Sequence, residues 1–442
     1  MKGKREVFGW VMYDFANSSF ATTISAVIFN KYFATVVAGG ERGVEIFGIH
    51  LHGTAFYTFT VSIAMTLSAF STPILGAIAD SIQSKKTFLF LYCYTGVLFT
   101  GLLYFIHEGD YWLGALFFII ANLGFVGGNV FYNAFLPEIS TSKNIGRISG
   151  MGFTLGYLGG GLLLVSNLIM LYHPAWIGFP EGTFTVHHCF LSVSLWWGIF
   201  ALFTFVLVKE RTPVVGARRQ GATVPLLKMG WQRVFSTWKN IGSYRELKTF
   251  LLSFLLYNDG IQTVIILSSI FGAEVLKMET GELIFYFLMI QGVALLGSLL
   301  FGYLADWIGR KKTILLSLWV WMVVVIWAFR IGLFWNPKTE YWILGILAGL
   351  VLGGSQSASR ALTGSFIPEG KNAEFFGFFG IADKFASIFG PLLYGITLTL
   401  TGSLQNAILS LILFFGIGAI LLLRVDEKKG MVSSAPLDNP NH

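Results

Sequence analysis

Acidic, basic and amide side chains lie inside long apolar stretches of this sequence. The stretch "GWVMYDFANSSFATTISAVIF", which begins at Gly9, contains Asp14 and Asn17. A charged side chain at the centre of a bilayer costs on the order of 2.5–3.5 kcal/mol on insertion scales, so it normally faces a partner or a polar cavity. The candidate binding residues placed in this way elsewhere in the chain are Asn129, Asn133, Asp259, Gln262, Gln356, Arg360, Asp383 and Lys384.

Charges of both signs occur in this set, which suits a zwitterionic ligand. The planar guanidinium of Arg360 matches a carboxylate, whereas an ammonium group needs a carboxylate or amide oxygens. A desolvated acid such as Asp259 or Asp14 could also carry a coupled proton. Asp14 lies nearer to one end of its stretch, where it could instead belong to a gate. For each residue the alternative is a structural contact between helices, such as an ion pair of Arg360 with Asp383.

Membrane-spanning helices must position these side chains. Of the 442 residues, 55% are hydrophobic and only 12% are charged, about half the charged fraction of a soluble protein. Apolar runs of about 20 residues, each long enough to cross a bilayer, recur along the chain. We therefore predict an all-α membrane protein with twelve transmembrane helices. The predicted spans lie near 8–36, 54–79, 87–106, 112–136, 147–171, 188–208, 249–272, 282–305, 313–334, 341–367, 375–400 and 404–424.

The positions of Lys and Arg predict the orientation in the membrane. With the N-terminus inside, only Arg42, Lys277 and Lys338 of the 30 basic residues fall in outside loops, and four more fall within spans. Inside loops are enriched in Lys and Arg, so both termini are expected in the cytoplasm. The net charge of +7 then comes from basic residues spread over the loops that face one membrane surface. We expect no binding of nucleic acid.

Two segments of the chain repeat each other at a spacing of 226 residues. Residues 76–86, "GAIADSIQSKK", match residues 302–312, "GYLADWIGRKK". Such a repeat predicts two six-helix bundles in parallel arrangement. The expected domains are an N-terminal bundle over 1–208, a linker over 209–248 that contains a basic amphipathic helix, and a C-terminal bundle with a short cytoplasmic tail over 249–442. A helix of that kind is expected to lie on the membrane surface.

These motifs resemble a known family. "GYLADWIGRKK" is similar to the loop signature of the major facilitator superfamily. "YDFANSSFATT", "GGSQSASRAL" and "AEFFGFFGIADKFASIFGPLLYG" resemble segments of its vacuole-effluxer family, which includes a vacuolar amino-acid exporter of yeast and bacterial relatives. The resemblance covers the whole chain. It implies the major facilitator fold, a central cavity lined by helices one, four, seven and ten, and a place in a bacterial inner membrane.

The repeated loops are expected to form a gate latch on the cytoplasmic side. A carboxylate at the end of a span can accept hydrogen bonds from the N-terminus of a neighbouring helix or pair with a cation. Gln83 and Ser84 stand where the signature usually has Gly and Arg, so the first copy is expected to be the weaker one. A surface ion pair of little energetic value is the alternative. The predicted gate residues are Asp80, Lys86, Asp306, Arg310 and Lys311.

The function predicted from the sequence is secondary active transport of a small polar or zwitterionic metabolite, such as an amino acid, by alternating access. Protons are a candidate coupling ion. The chain lacks a phosphate-binding loop, so direct use of ATP is not expected. We expect no enzyme activity, cofactor or metal site, and we expect a monomer in the lipid bilayer. The alternatives are a carrier of lipid or hydrophobic drug-like substrates and a non-transporting nutrient receptor.

Overall fold

The computed structural model of the protein describes residues 2–46, 48–210, 225–239, 241–386 and 388–433. Within them, twelve helical segments are long and apolar enough to cross a membrane, which confirms the predicted number of spans and the all-α class. The segments are Gly3–Val37, Gly53–Ile82, Lys85–Phe105, Tyr111–Ile139, Ile145–Tyr172, Val186–Leu207, Gly242–Glu274, Gly281–Ile308, Arg310–Phe329, Pro337–Phe366, Asn372–Thr401 and Leu404–Leu423.

The described residues form eighteen α-helices, and in several places two of them share one span. The helices are α1 (Lys2–Ser19), α2 (Phe29–Tyr32), α3 (Gly53–Ile82), α4 (Lys85–Leu102), α5 (Tyr111–Ala134), α6 (Leu136–Ile139), α7 (Ile145–Tyr172), α8 (Val186–Leu207), α9 (Leu226–Lys239), α10 (Arg245–Glu274), α11 (Thr280–Ile308), α12 (Arg310–Phe329), α13 (Pro337–Phe366), α14 (Asn372–Phe385), α15 (Phe389–Thr401), α16 (Leu404–Ser410), α17 (Ile412–Leu423) and α18 (Glu427–Ser433).

The chain forms two compact units. Unit 1 comprises Met1–Thr72, Ser81–Phe135 and Leu155–Thr212, and unit 2 comprises Pro73–Asp80, Leu136–Thr154 and Pro213–His442. Unit 2 thus holds Pro73–Asp80 of α3, all of α6 and the beginning of α7. The predicted division into two bundles and a linker remains a prediction. Within the linker, α9 covers Leu226–Lys239, whereas residues 211–224 lie outside the described residues.

Small residues let the helices of each unit approach closely. In unit 1, Gly124 of α5 packs directly against the backbone of Gly96 in α4. In unit 2, Gly353 of α13 lies against the carbonyl oxygen of Ala294 in α11. A Cβ atom at either glycine would overlap the neighbouring backbone. Glycine therefore permits the close helix packing that is common in membranes.

Two features of the chain were not predicted from the sequence. The first span changes to π-helical geometry at Phe20–Val27 and Phe33–Val37. After it, β1 (Val44–Ile46) and β2 (Ile49–Leu51) pair antiparallel, with Val44 opposite Leu51. The turn between these strands contains Gly48, whose φ of 77° is in the left-handed region that glycine adopts without steric cost.

The eleventh span is interrupted near its middle. Helix α14 ends at Phe385 and α15 begins at Phe389. Pro391 lies in the first turn of α15, where its missing backbone N–H would otherwise be needed to continue the helix from α14. The interruption creates a new helix N-terminus inside the span. Its first backbone N–H groups need acceptors from elsewhere in the protein.

Candidate functional site

In unit 1, Asp14 and Asn17 of α1 make side-chain hydrogen bonds to α5. The hydroxyl of Tyr132 donates to Asp14 Oδ2 at 2.8 Å, and Asn17 Nδ2 donates to Asn129 Oδ1 at 2.6 Å. Asp14 and Asn17 are both buried. Asn133, one position after Tyr132, is half-buried on the same helix. Hydrogen bonds of this kind satisfy polar groups that could not remain without partners in hydrocarbon.

Aromatic rings and a third helix enclose Asp14. The ring of Tyr132 stacks between Trp10 and Tyr13, with centroid distances of 4.4 and 5.0 Å. From α7, Gly156 packs against Asp14 and Ser18, so that an added Cβ would lie 2.7 Å from Ser18 Oγ. Unit 1 therefore places one buried carboxylate beside amide groups in a largely aromatic environment.

In unit 2, the buried carboxylate of Asp259 caps the N-terminus of α15. It accepts backbone N–H groups from Phe389 at 2.9 Å and from Gly390 at 2.8 Å. A Cβ at Gly390 would lie 2.6 Å from Asp259 Oδ1, so glycine permits the contact. Asp259 thus supplies the acceptors that the interrupted eleventh span requires.

A second polar group in unit 2 joins α10 to α14. Asn258 Nδ2 donates to Asp383 Oδ1 at 3.0 Å, and Lys384 Nζ lies 2.8 Å from Asp383 Oδ2. The side chains of Asp383 and Lys384 are 32% and 24% exposed. Gln262 of α10 and Gln356 of α13 are also half-buried.

Arg360 of α13 is buried, and its side chain contacts the beginning of α7. Its guanidinium lies 4.0 Å from the ring centroid of Phe153. Its Nε donates to Ser149 Oγ at 3.0 Å, and its Nη2 donates to the Ser149 carbonyl oxygen at 2.7 Å. Ser149 Oγ in turn donates to the carbonyl oxygen of Ser357 at 2.8 Å. The structure therefore places Arg360 in a contact between the fifth and tenth spans.

Asp306 and Asp80 each cap the N-terminus of another helix in unit 2. Asp306 accepts the backbone N–H groups of Gly146 and Arg147, both at 2.8 Å, at the start of α7. Asp80 accepts those of Ala373 at 3.2 Å and Glu374 at 2.9 Å, at the start of α14. The positive end of a helix dipole favours a carboxylate at such positions. The two copies of the repeated loop therefore make equivalent contacts.

The cations of the second loop are held by the C-terminal segment. Glu427 accepts the backbone N–H groups of Arg310 at 3.2 Å and Lys311 at 3.1 Å, and it forms an ion pair with the Arg310 guanidinium at 3.2 Å. Lys311 Nζ donates to the carbonyl oxygen of Val425 at 2.7 Å. The Arg310 guanidinium also donates to the carbonyl oxygen of Ser142, in the loop before α7. A carboxylate four residues after the twelfth span thus fixes the second copy of the repeated loop.

Unit 1 repeats this arrangement with Lys86 and Glu210. The backbone N–H of Lys86 donates to Glu210 Oε1 at 3.4 Å, and Lys86 Nζ donates to the carbonyl oxygen of Val208 at 2.7 Å. Burial raises the pKa of the Glu210 carboxyl, and the backbone N–H of Lys86 opposes this rise.

Sequence reasoning missed both glutamates. A Val-x-Glu segment follows the sixth span and recurs after the twelfth, which is the signal that could have found them. The structure also makes Lys86 equivalent to Lys311, the second residue of α4 and of α12 respectively. The first loop is therefore one residue longer after its aspartate than the second.

Comparisons with known proteins identify the family. The family model described as "Vacuole effluxer Atg22 like" matches residues 2–435. The MFS-type transporter YxiO of Bacillus subtilis is 32% identical over 421 residues, which cover 95% of this chain and 94% of that protein. Autophagy-related protein 22 of Kluyveromyces lactis is 23% identical and covers 97% of this chain and 95% of its own length.

Solved structures show the same fold. The proton:xylose symporter XylE has a TM-score of 0.72 at 13% identity, with 98% of both chains covered. The human organic anion transporter MFSD10 has a TM-score of 0.71 at 13% identity, with 95% of this chain and 99% of that one covered. Family and fold are those of membrane transporters and not of enzymes. The chain belongs to the vacuole effluxer Atg22-like family and is a transporter of the major facilitator superfamily.

Proposed function

We propose that this transporter moves a small zwitterionic metabolite, an amino acid in the first instance, by alternating access. The observation that carries the proposal is the set of charged groups within the spans of unit 2. Asp259 and Asp383 supply carboxylates, and Arg360 and Lys384 supply cations. Acidic and basic groups of this kind suit a ligand that carries both charges. Unit 1 separately holds Asp14 and the amides of Asn17 and Asn129.

The substrate carboxylate is assigned to Arg360 or Lys384, because a guanidinium fork or an ammonium group binds an anion well. The substrate amine is assigned to Asp259. A carboxylate offers about four acceptor positions, so Asp259 can hold the N-terminus of α15 and still accept from an ammonium group. The half-buried amides of Asn133, Gln262 and Gln356 are candidates for further contacts.

We place the Asp80 and Asp306 contacts at the cytoplasmic gate, with both termini in the cytoplasm. Most Lys and Arg residues lie in the termini and in the loops on the same side as Asp80 and Asp306, which supports this orientation. Breaking the helix caps would release α7 and α14 and open that side of the transporter. Proton coupling through Asp259 or Asp14 is part of the proposal, and the family description favours export as the direction.

The proposal is tested with the purified protein in two stages. A thermal-shift screen covers amino acids, peptides, polyamines, metal ions and lipids, and we expect stabilisation by an amino acid. Uptake and counterflow of that ligand in proteoliposomes, with and without a pH gradient, then measure transport and coupling. Stabilisation by lipids alone, with no counterflow of any amino acid, would contradict the proposal.

A carrier of lipid or hydrophobic molecules is the second candidate. One observation favours it, a mainly apolar cleft of about 400 Å³ in unit 1 that is bordered by α3, α4 and α5. Leu67 and Leu91 line this cleft and are 48% and 56% exposed. Displacement of a fluorescent fatty acid from the protein would favour this function over transport of amino acids.

A further inference from the structure

Helix α9 has an exposed apolar stripe and a buried side that packs on the protein. The α9 stripe consists of Leu227, Trp231 and Phe235, which recur every four residues and are 64%, 57% and 67% exposed. Lys228 and Lys239 are also exposed, and helical periodicity places both next to the stripe on the side away from the protein. An apolar stripe bordered by lysines is the pattern of a helix that lies in a membrane surface.

The buried side of α9 fixes the depth of the helix in the membrane. Gly230 packs against Ile74 and Ile78 of α3, and a Cβ at Gly230 would lie 2.8 Å from Ile78 Cγ1. Both isoleucines belong to the last turns of the span that ends at Ile82. Because a helix rises about 1.5 Å per residue, α9 lies within roughly 12 Å of the end of this span. This is the depth of the lipid headgroups and the adjoining acyl chains.

Helix α9 also contacts the helix that Asp80 caps. Arg233 Nε lies 3.9 Å from Glu374 Oε2. The Glu374 side chain is fully buried, and among the described residues neither of its carboxylate oxygens has a hydrogen-bond partner. The backbone N–H of the same residue donates to Asp80. Arg233 therefore places a positive charge near the buried carboxylate of Glu374, the residue whose backbone N–H Asp80 caps.

We propose that the α9 stripe binds an anionic phospholipid surface and that Arg233 links this binding to the N-terminus of α14. The bilayer is the occupant that both the depth of α9 and its charge favour. Lipid contact holds α9 against Ile74 and Ile78, which keeps Arg233 beside Glu374 and stabilises the Asp80 cap. Anionic lipid thereby favours the capped state of α14. This inference does not depend on the identity of the substrate.

The first experiment measures the depth of the α9 stripe. The full chain is placed in nanodiscs of phosphatidylcholine with or without phosphatidylglycerol, and a spin label is attached at Phe235→Cys or, as a control outside the stripe, at Gln232→Cys. The native Cys93 and Cys189 are buried. We expect the label at 235 to contact oxygen and to be shielded from a water-soluble nickel complex, and the label at 232 to show the reverse.

The anionic lipid should increase the shielding of the label at 235. A basic residue near an anionic surface contributes about 1 kcal/mol, so each lysine accounts for roughly a fivefold preference. The double variant Lys228→Gln and Lys239→Gln should lose this increase. Equal accessibility of the two labels in both lipids would overturn the proposal. So would shielding that appears only at high protein density, since that result identifies a second copy as the occupant.

The second experiment measures the link to α14 by amide hydrogen exchange. In the parent protein, exchange of the peptide that contains Ala373 and Glu374 should be slower with phosphatidylglycerol than without it. Arg233→Gln should abolish this difference, whereas Lys248→Gln, an exposed control on α10, should retain it. Exchange that is the same in both lipids in the parent protein would show that α9 and the Asp80 cap are not linked.

Discussion

The carboxylate of Asp306 holds the first turn of α7 through the backbone N–H of Gly146. The same residue accepts the next backbone N–H, from Arg147. A side chain at position 146 would meet Asp306 itself and the carbonyl oxygen of Gly302, so glycine is needed for this close approach. Asp306 thus satisfies two N–H groups at the start of another helix with one side chain, so a single substitution tests the proposed gate contact.

Replacing Asp306 with Asn should weaken this contact without unfolding the protein. The variant loses a charge-assisted hydrogen bond of about 1.5–3 kcal/mol, which corresponds to a roughly tenfold to hundredfold change in the population of the uncapped state. We expect faster labelling of Gln356→Cys by an impermeant thiol reagent applied from the Asp306 side of proteoliposomes. The yield of folded protein should remain close to that of the parent.

Glu41→Gln is the control for this prediction, because Glu41 is an exposed acid in the loop before β1. It should leave the labelling rate unchanged. If Asp306→Asn labels at the same rate as this control, the cap is a static structural contact and the gate depends on other residues.

The sequence allowed prediction of the features that follow from composition and local pattern. Length and hydropathy predict the twelve spans, because an apolar run of about 20 residues crosses lipid only as a helix that satisfies its own backbone hydrogen bonds. The repeat placed Asp80 and Asp306 at equivalent loop positions, and both do contact helix N-termini.

The rest depends on contacts between residues that are distant in sequence. Gly390 and Pro391 are a local signal that the eleventh span could break, but no local pattern shows that its cap is Asp259, 131 positions from Gly390. The recurring Val-x-Glu segment could have drawn attention to Glu427, but it does not show that the partner is Arg310, 117 residues away. The paired strands after the first span lie in a segment, 44–51, in which apolar and polar residues alternate on both sides of a glycine. This hairpin pattern was missed because each strand has only three residues.

Replacing Asp259 with Asn tests whether this residue carries a coupled proton or only caps α15. In Asp259→Asn, one side-chain oxygen remains to accept from α15, so the protein should fold. If Asp259 carries the coupled proton, substrate exchange should survive while accumulation driven by a pH gradient disappears. Proteoliposome counterflow and uptake measure the two activities. Thr249→Ala, which removes a hydroxyl that donates to the Arg245 carbonyl oxygen on the same helix, should retain both. Full accumulation by Asp259→Asn would show that the residue is a structural cap.

Glu340 should be among the most important acids for stability. Its buried carboxylate accepts from the Trp327 indole and from the backbone N–H groups of Gly332, Phe334 and Trp335, at 2.6–2.9 Å. Glu340→Gln introduces an amide group that would point at least one N–H towards these donors. We therefore expect a fall in Tm of several degrees in detergent.

Glu282→Gln provides the comparison for Glu340, because it removes an ion pair with Lys338 in which both side chains are at least 40% exposed. Exposed ion pairs contribute little to stability. The Tm of this variant should therefore stay close to that of the parent. Equal Tm values for the Glu340 and Glu282 variants would mean that the Glu340 carboxylate does not stabilise the loop between α12 and α13.

Replacing Ser149 and replacing Arg360 should change the substrate affinity in opposite directions. If the substrate carboxylate binds Arg360, it must compete with Ser149, which now accepts two hydrogen bonds from the guanidinium. Ser149→Ala removes one of these bonds, worth about 1.5–3 kcal/mol at a charged donor. The affinity should then rise by roughly tenfold or more. Arg360→Lys should lower affinity, because an ammonium group cannot reproduce the planar fork.

Titration of each variant with the ligand found by thermal shift measures these affinities. Ser365→Ala is the control for the serine change, since its hydroxyl donates within α13 to the carbonyl oxygen of Ala361. It should bind like the parent. A fall in affinity for both Ser149→Ala and Arg360→Lys would contradict competition and would mean that the pair supports the site as one rigid unit. Unchanged affinity in both would place the substrate carboxylate elsewhere, with Lys384 the next residue to replace.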